Sequence, residues 1–172
     1  GAEQSVIFAG QLIPPRSTPD DIAIEAMNDV LGGQFTARLN MNLREEKHWS
    51  YGAYSLAYDA RGQRPLLAYA AVQSDKTAES LSEIRKEITD LATDRPATAD
   101  EVALVKRSNT LSLPGQWETG SAVLGSISKL VEFGLPDNYW ATYADAVRSL
   151  TPEQVNQAAR DTFVLRSRII EY

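Results

Sequence analysis

Arg44 and Tyr51 are the side chains of this sequence whose types and spacing best suit chemistry. Arginine carries a permanent charge on a planar fork of donors. Tyrosine offers one directional O–H donor at neutral pH. Set across a cleft from a reactive carbonyl, such a pair could hold a peptide and stabilise an oxyanion. A plainer reading fits the same spacing. Arg44 lies where a cation complements the dipole of a helix end, and Tyr51 belongs to an amphipathic strand.

The other candidates have structural readings. His48 occurs at the same helix end and is the single histidine, so its charge also suits the dipole. It is the one available histidine base. A zinc site normally draws on three protein ligands, often two or three histidines, and cysteine is absent. No self-contained catalytic zinc site is expected. Gly32-Gly33 reads as a helix stop, and no phosphate-binding glycine pattern or nucleophile elbow is present. Trp49, Trp117 and Trp140 read as packing anchors. The acidic residues are spread over amphipathic helices and read as solvated faces.

The elements that must position Arg44 and Tyr51 follow from periodicity. Residues 5–13, SVIFAGQLI, form an apolar run that suits a buried strand. A helix then starts with Thr18 as N-cap, Pro19 at its first position and Asp20 and Asp21 at its positive end. It runs through Ile22, Ala26, Met27, Val30 and Leu31 to the glycine pair. A second helix spans Gln34 to about Lys47, with Phe35, Leu39 and Leu43 as its apolar stripe. The period then changes to two. Tyr54, Leu56 and Tyr58 alternate with Ala53, Ser55 and Ala57, and LLAYAAV returns after the turn RGQRP, giving an antiparallel hairpin.

The remainder is mostly helical. One helix spans DKTAESLSEIRKEITDLA. Another starts from a capping box of Thr98 and Glu101 and closes at Leu113-Pro114-Gly115. A third carries Trp117, Val123, Leu124, Ile127 and Val131 and ends at Gly134. Tyr139 to Leu150 forms a fourth, and a second capping box at Thr151–Gln154 opens a fifth. RSRIIEY reads as a last strand. The order implies an α+β fold in two layers, helices covering one face of a mostly antiparallel sheet. Residues 1–172 form one domain, expected to be excised from a larger protein.

Bulk properties exclude several classes. The 172 residues, 43% hydrophobic and 23% charged, suit one globular domain. A net charge of -6 without a basic run argues against nucleic acid. No apolar stretch approaches the roughly 20 residues that span a bilayer, so no membrane association is expected.

The stretch VLGGQFTARLNMNLREEKHWSYGAYS resembles the second-half domains of the pitrilysin/insulinase zinc metalloproteases, a family that includes the mitochondrial processing peptidases. The matching elements are Leu31-Gly32-Gly33, Ala37-Arg38-Leu39, Leu43-Arg44-Glu45, Lys47 and Ser50-Tyr51-Gly52. The later order of hairpin, long helix, RPATADEV and LTPEQVNQAARDTF agrees. The resemblance implies a zinc-free C-terminal unit of metallohydrolase-like fold. Its partner would be a zinc-bearing domain or subunit of the same protease. Zinc would be held there, and Arg44 and Tyr51 would bind the substrate carbonyl and stabilise the transition state of peptide hydrolysis. The chain alone would be inactive. The turn KHW places His48 where the family usually has glycine, which bears on the backbone geometry there. Exported, periplasmic relatives are common, with a cytoplasmic location as the alternative. A non-catalytic scaffold or peptide-binding subunit of the same fold is the competing reading, and edge strands could add an extended peptide.

Overall fold

A computed structural model describes residues 3–163 and 170–171 of the chain. Strand β1 (Gln4–Ile13) is followed by helix α1 (Asp21–Asn28), which widens into a π turn at Asp29–Gly33. Helix α2 (Arg38–Asn40) likewise continues as a π segment over Met41–Glu46. Strands β2 (Ser50–Ala57) and β3 (Arg64–Gln73) form the expected hairpin. Helices α3 (Thr77–Ala92), α4 (Ala99–Leu111), α5 (Gly120–Phe133), α6 (Tyr139–Ser149) and α7 (Pro152–Phe163) follow. Of the expected final strand, Ile170–Glu171 forms β4 and the rest lies outside the described residues.

The sheet order is β2-β3-β1-β4, and every pairing is antiparallel. This is the expected α+β architecture. The helix-facing side of the sheet is built from Ile7, Ala9, Ile13, Ala53, Leu66, Ala68, Ala70 and Val72, all buried. Four of these eight are alanines, and such small side chains let helix backbones approach the sheet closely. Met27, Leu31, Leu39, Leu43, Ile84, Leu91 and Val155 fill the layer between. Both capping boxes form: Thr98 with Glu101, and Thr151 with Gln154.

The opposite side of the sheet is open. Val6, Phe8, Leu12, Tyr54, Leu56 and Tyr58 are exposed there, so β1 is half buried rather than fully buried. Tyr54 stacks on Tyr69 at 5.5 Å, and Phe8 meets Tyr69 at 5.2 Å. Helix α5 also departs from expectation. Val123, Leu124, Ile127 and Val131 lie at helical spacing but are exposed. Trp117, Trp140, Tyr139 and Tyr143 form a satellite aromatic cluster beside it instead of joining the main core.

The start of α1 differs from its sequence reading for an electrostatic reason. Thr18 does not cap the helix; its carbonyl accepts from the Asp21 N–H at 3.1 Å in a preceding turn. Asp21 is buried, not a solvated dipole acid, and pairs with both Arg16 and Arg64. Arg64 is 0% exposed, and its Nε donates to the Pro14 carbonyl at 2.9 Å. Arg16 also pairs with Glu25 and reaches the Tyr139 hydroxyl at 3.0 Å. Asp59, in the β2–β3 turn, lies 3.4 Å from Arg16, Arg64 and Lys129. The network ties β1, α1, the β2–β3 turn, β3, α5 and α6 together.

Two outcomes follow. Asp21→Asn strips the shared counter-charge from two buried guanidiniums and should cost about 3–5 kcal/mol, read from the urea midpoint. A loss under about 1 kcal/mol would show the network to be dispensable. Burial lifts the Glu25 carboxyl from 4.5 to about 7 against the opposing pull of Arg16. Between those values the native state holds a proton that the unfolded chain has lost, so stability should fall as pH rises through this window. Glu25→Gln should flatten that part of the profile in urea titrations from pH 4 to pH 8.

Candidate functional site

The junction between α2 and β2 is shaped by three local departures from regular structure. The first is the π segment. The Lys47 N–H donates to the Asn42 carbonyl, five residues back, and the Trp49 N–H donates to the Leu43 carbonyl, both at 2.9 Å. This widened end turns Arg44 toward β2. π turns recur at functional sites.

The second is His48. It adopts φ 58, the left-handed region that glycine enters without strain and other residues rarely occupy. A ring nitrogen offsets part of the cost. Its Nδ1 lies 3.0 Å from the Arg44 carbonyl, so it carries the proton and caps the helix end. The His48 carbonyl accepts from Gln73 Nε2 at 3.2 Å. The turn therefore closes with a histidine in a conformation that favours glycine.

The third is a β-bulge. Ser50 pairs with Val72 and Ala53 with Ala70, so β2 has one extra residue between these points. Ser50 Oγ donates to the Ala71 carbonyl at 2.6 Å and accepts from the Gly52 N–H at 3.1 Å, tying the bulge down. A Cβ on Gly52 would meet the exposed Tyr54 ring at 3.0 Å, a tight contact that the ring would have to yield to. Tyr51, on the crest, is 88% exposed.

Arg44 and Tyr51 line one hollow of about 420 Å³ with Gly33, Phe35, Asn40 and Tyr54. The Arg44 guanidinium carbon lies 4.6 Å from the centroid of the Phe35 ring. Its Nε is 3.5 Å from Glu45 Oε1, and the side chain keeps 38% exposure. Donors therefore remain open to a ligand, while the ring offers the guanidinium a favourable cation–π contact. Among the described residues the Tyr51 hydroxyl makes no hydrogen bond. Trp49 lies on the far side of Tyr51, partly buried against the core.

Phe35 and Asn40 escaped the sequence reading. Helix α2 starts at Arg38 rather than Gln34, because Gln34 is extended and the Ala37 N–H turns back onto the Gln34 carbonyl. Phe35 therefore leaves the apolar stripe and becomes the platform for Arg44. Asn40 is buried and joins both sides: its Nδ2 donates to the Phe35 carbonyl at 2.7 Å, and its Oδ1 accepts from the Ala53 N–H at 3.2 Å. A polar residue inside an apolar helix stripe was the available signal.

The glycine pair also has a different role. Gly32 does not stop the helix by a positive φ. A Cβ on it would lie 2.3 Å from the Ser55 nitrogen, so glycine is required for the π turn to touch β2. Asn28 Nδ2 donates to the Ser55 carbonyl at 3.4 Å, and Ser55 Oγ donates to the Asn28 carbonyl at 3.3 Å. With Asn40 on Ala53, these contacts take up backbone groups that an added strand would need. Strand addition at the middle of β2 is thus closed.

Among the described residues no group of three His, Cys, Asp or Glu side chains is placed to hold a metal ion. Cysteine is absent, and the single histidine is turned onto a backbone carbonyl. Among the described residues no helix is long and apolar enough to cross a membrane.

Comparisons with known proteins now bear on this geometry. A family model described as the peptidase M16 inactive domain matches residues 1–109. No curated protein sequence matches the chain. The crystal structure of a peptidase M16 inactive domain from Pseudomonas fluorescens superposes with a TM-score of 0.87 at 22% identity, covering 96% of this chain and 39% of that one. A protease from Helicobacter pylori gives 0.85 at 20% identity, with 95% and 39% covered. The periplasmic protease PqqL from Escherichia coli gives 0.77 at 16% identity, with 95% and 18% covered. At these identities the likeness is one of fold. The chain spans about two fifths of the length of the first two structures.

The turn makes a separable prediction. His48→Gly should leave stability unchanged or raise it, because glycine adopts φ > 0 freely. His48→Val should cost about 1–3 kcal/mol, the price of a β-branched residue in that region. Equal midpoints for the two variants in urea would show that the turn relaxes without penalty.

Proposed function

The chain belongs to the peptidase M16 inactive-domain family, and on that premise we propose that it is the accessory unit of a zinc metalloendopeptidase, whose zinc another domain or subunit holds. Residues 1–172 act as one zinc-free unit of that larger enzyme. Arg44 and Tyr51 project into the shared chamber. There the guanidinium anchors a substrate carbonyl, and the phenol O–H donates to the oxygen that gains negative charge as the peptide is cleaved. The observation that carries this reading is the single hollow lined by both side chains, with Tyr51 raised on a bulge and its hydroxyl uncommitted. Parts of the frame are already assembled: buried Asn40 bonded to both Phe35 and Ala53, and Ser50 tying the bulge, with the exposed Phe35 ring against Arg44. Such preorganisation is what an oxyanion donor requires, since little reorganisation is left for the moment of reaction.

Substrate is held by these two donors and by side-chain hollows rather than by strand addition in the middle of β2. The periplasm is the proposed compartment, supported by the fold shared with a periplasmic protease. The absence of cysteine is compatible with it.

In the full-length enzyme, Tyr51→Phe should lower kcat about 10²–10³-fold, the loss typical of one oxyanion donor, with the circular dichroism spectrum unchanged. Arg44→Ala should lower kcat/KM about 10-fold or more through a lost charged hydrogen bond. Wild-type kinetics in both variants would return the pair to the plainer reading of a dipole cation and a strand tyrosine.

A further inference from the structure

A second hollow, of about 240 Å³, lies beside the first and shares Leu56 with it. It is lined by Glu25, Asn28 and Asp29 from the end of α1, by β2 residues Leu56 and Ala57, and by Asn109, Ser112, Gln116 and Tyr143. Glu25 and Asp29 are four apart on a helix and so share one face. Their compensation is incomplete. Glu25 must share Arg16 with Asp21 and Asp59. Asp29 accepts from a neutral amide, Asn109 Nδ2, at 2.7 Å. Burial raises the carboxyl pKa of both, so their charged forms lack a full counter-charge that a bound cation would supply. A further observation points to a missing donor. Asn28 lines the same hollow at 7% exposure, and its Oδ1 has no hydrogen-bond partner.

We infer that this hollow is a subsite for a basic side chain, lysine or arginine, of the peptide that passes Arg44 and Tyr51. An ammonium or guanidinium brings several N–H donors and a positive charge. Here it would meet the Glu25 and Asp29 carboxyl groups, next to a buried Asn28 amide oxygen that still lacks a donor. Leu56 and Ala57 offer apolar surface to the methylene stem, which such side chains bury while their charged ends bond. The position follows from β2. Tyr51 and Leu56 are five residues apart, about 16 Å along a strand. An extended peptide with a carbonyl at Tyr51 therefore brings a side chain about four to six residues away to the acidic hollow.

This inference rests on the proposed function for its ligand, and its test separates the two. The probes are fluorescent decapeptides of alanine and serine with one central arginine, norleucine or glutamate. Their binding to the full-length protein is read by anisotropy with zinc removed by chelator, so turnover does not enter. The arginine peptide should bind about 10-fold or more tighter than the norleucine peptide, as expected for charge-assisted hydrogen bonds, and the glutamate peptide weakest. Asp29→Asn should bring the arginine peptide to the norleucine level and leave the norleucine peptide unchanged. Gln116→Lys, an exposed position on the rim, should do the same by supplying an internal cation without touching the buried acids. Equal binding of the arginine and norleucine peptides overturns the subsite. So does a preference that survives both variants, or no binding of the arginine peptide. Tyr51→Phe should leave the preference intact, so loss of the catalytic reading through unaltered turnover remains a distinct result.

Discussion

The Asp21 carboxylate is shared by two buried guanidiniums, Arg16 from the segment after β1 and Arg64 from the start of β3. Buried ion pairs are poor sources of net stability, because desolvation cancels much of the attraction. Their effect is on geometry. Loss of either arginine leaves the buried carboxylate with one partner in place of two, and neither arginine can rotate without losing a second partner in Asp59 or the Pro14 carbonyl. The first turn of α1 is therefore fixed against one end of the sheet. Everything at the other end of α1 inherits that placement.

What it inherits is the contact between the π turn and β2. Gly32 lies against the Ser55 nitrogen with no room for a side chain, and Asn28 ties to both the carbonyl and hydroxyl of Ser55. From there Asn40 reaches back to Phe35 and forward to Ala53. Arg44 rests on Phe35, and Tyr51 rises from the bulge that Ser50 secures. The site is thus the last link of a chain of short polar contacts between rigid elements. Few of its parts depend on long side chains finding each other in solvent, which suits the donor role proposed for Arg44 and Tyr51.

Among the described residues, two apolar surfaces are left without intramolecular cover, the outer side of the sheet and one face of α5. Aromatic packing within each surface reduces the cost: Tyr54, Tyr69 and Phe8 on the sheet, Trp117 and Trp140 beside α5. Patches of this kind are common where a unit belongs to a larger assembly. The chain spans only part of the length of the structures it superposes on, consistent with that setting.

Periodicity made the layers legible. Alternation at residues 53–58, the helical stripes of α3 and α7 and two capping boxes are local signals, each read within one turn or one strand pair. The helix-to-strand junction that carries Arg44 and Tyr51 was legible for the same reason, while attention to its His48 turn came only from the family resemblance. Tertiary structure decided the rest. Asp21 and Glu25 read as solvated acids because nothing local marks an arginine 43 residues away as a partner of Asp21. Phe35 read as core because its stripe continued into Leu39 and Leu43, yet an extended Gln34 took it out of the helix. Val123, Leu124, Ile127 and Val131 kept their helical period but met no neighbouring layer. Sequence determined which faces are apolar and where the chain turns, since those depend on a residue and its near neighbours. Only the fold determined which faces are covered and which charges meet, since those depend on contacts between segments far apart in the chain.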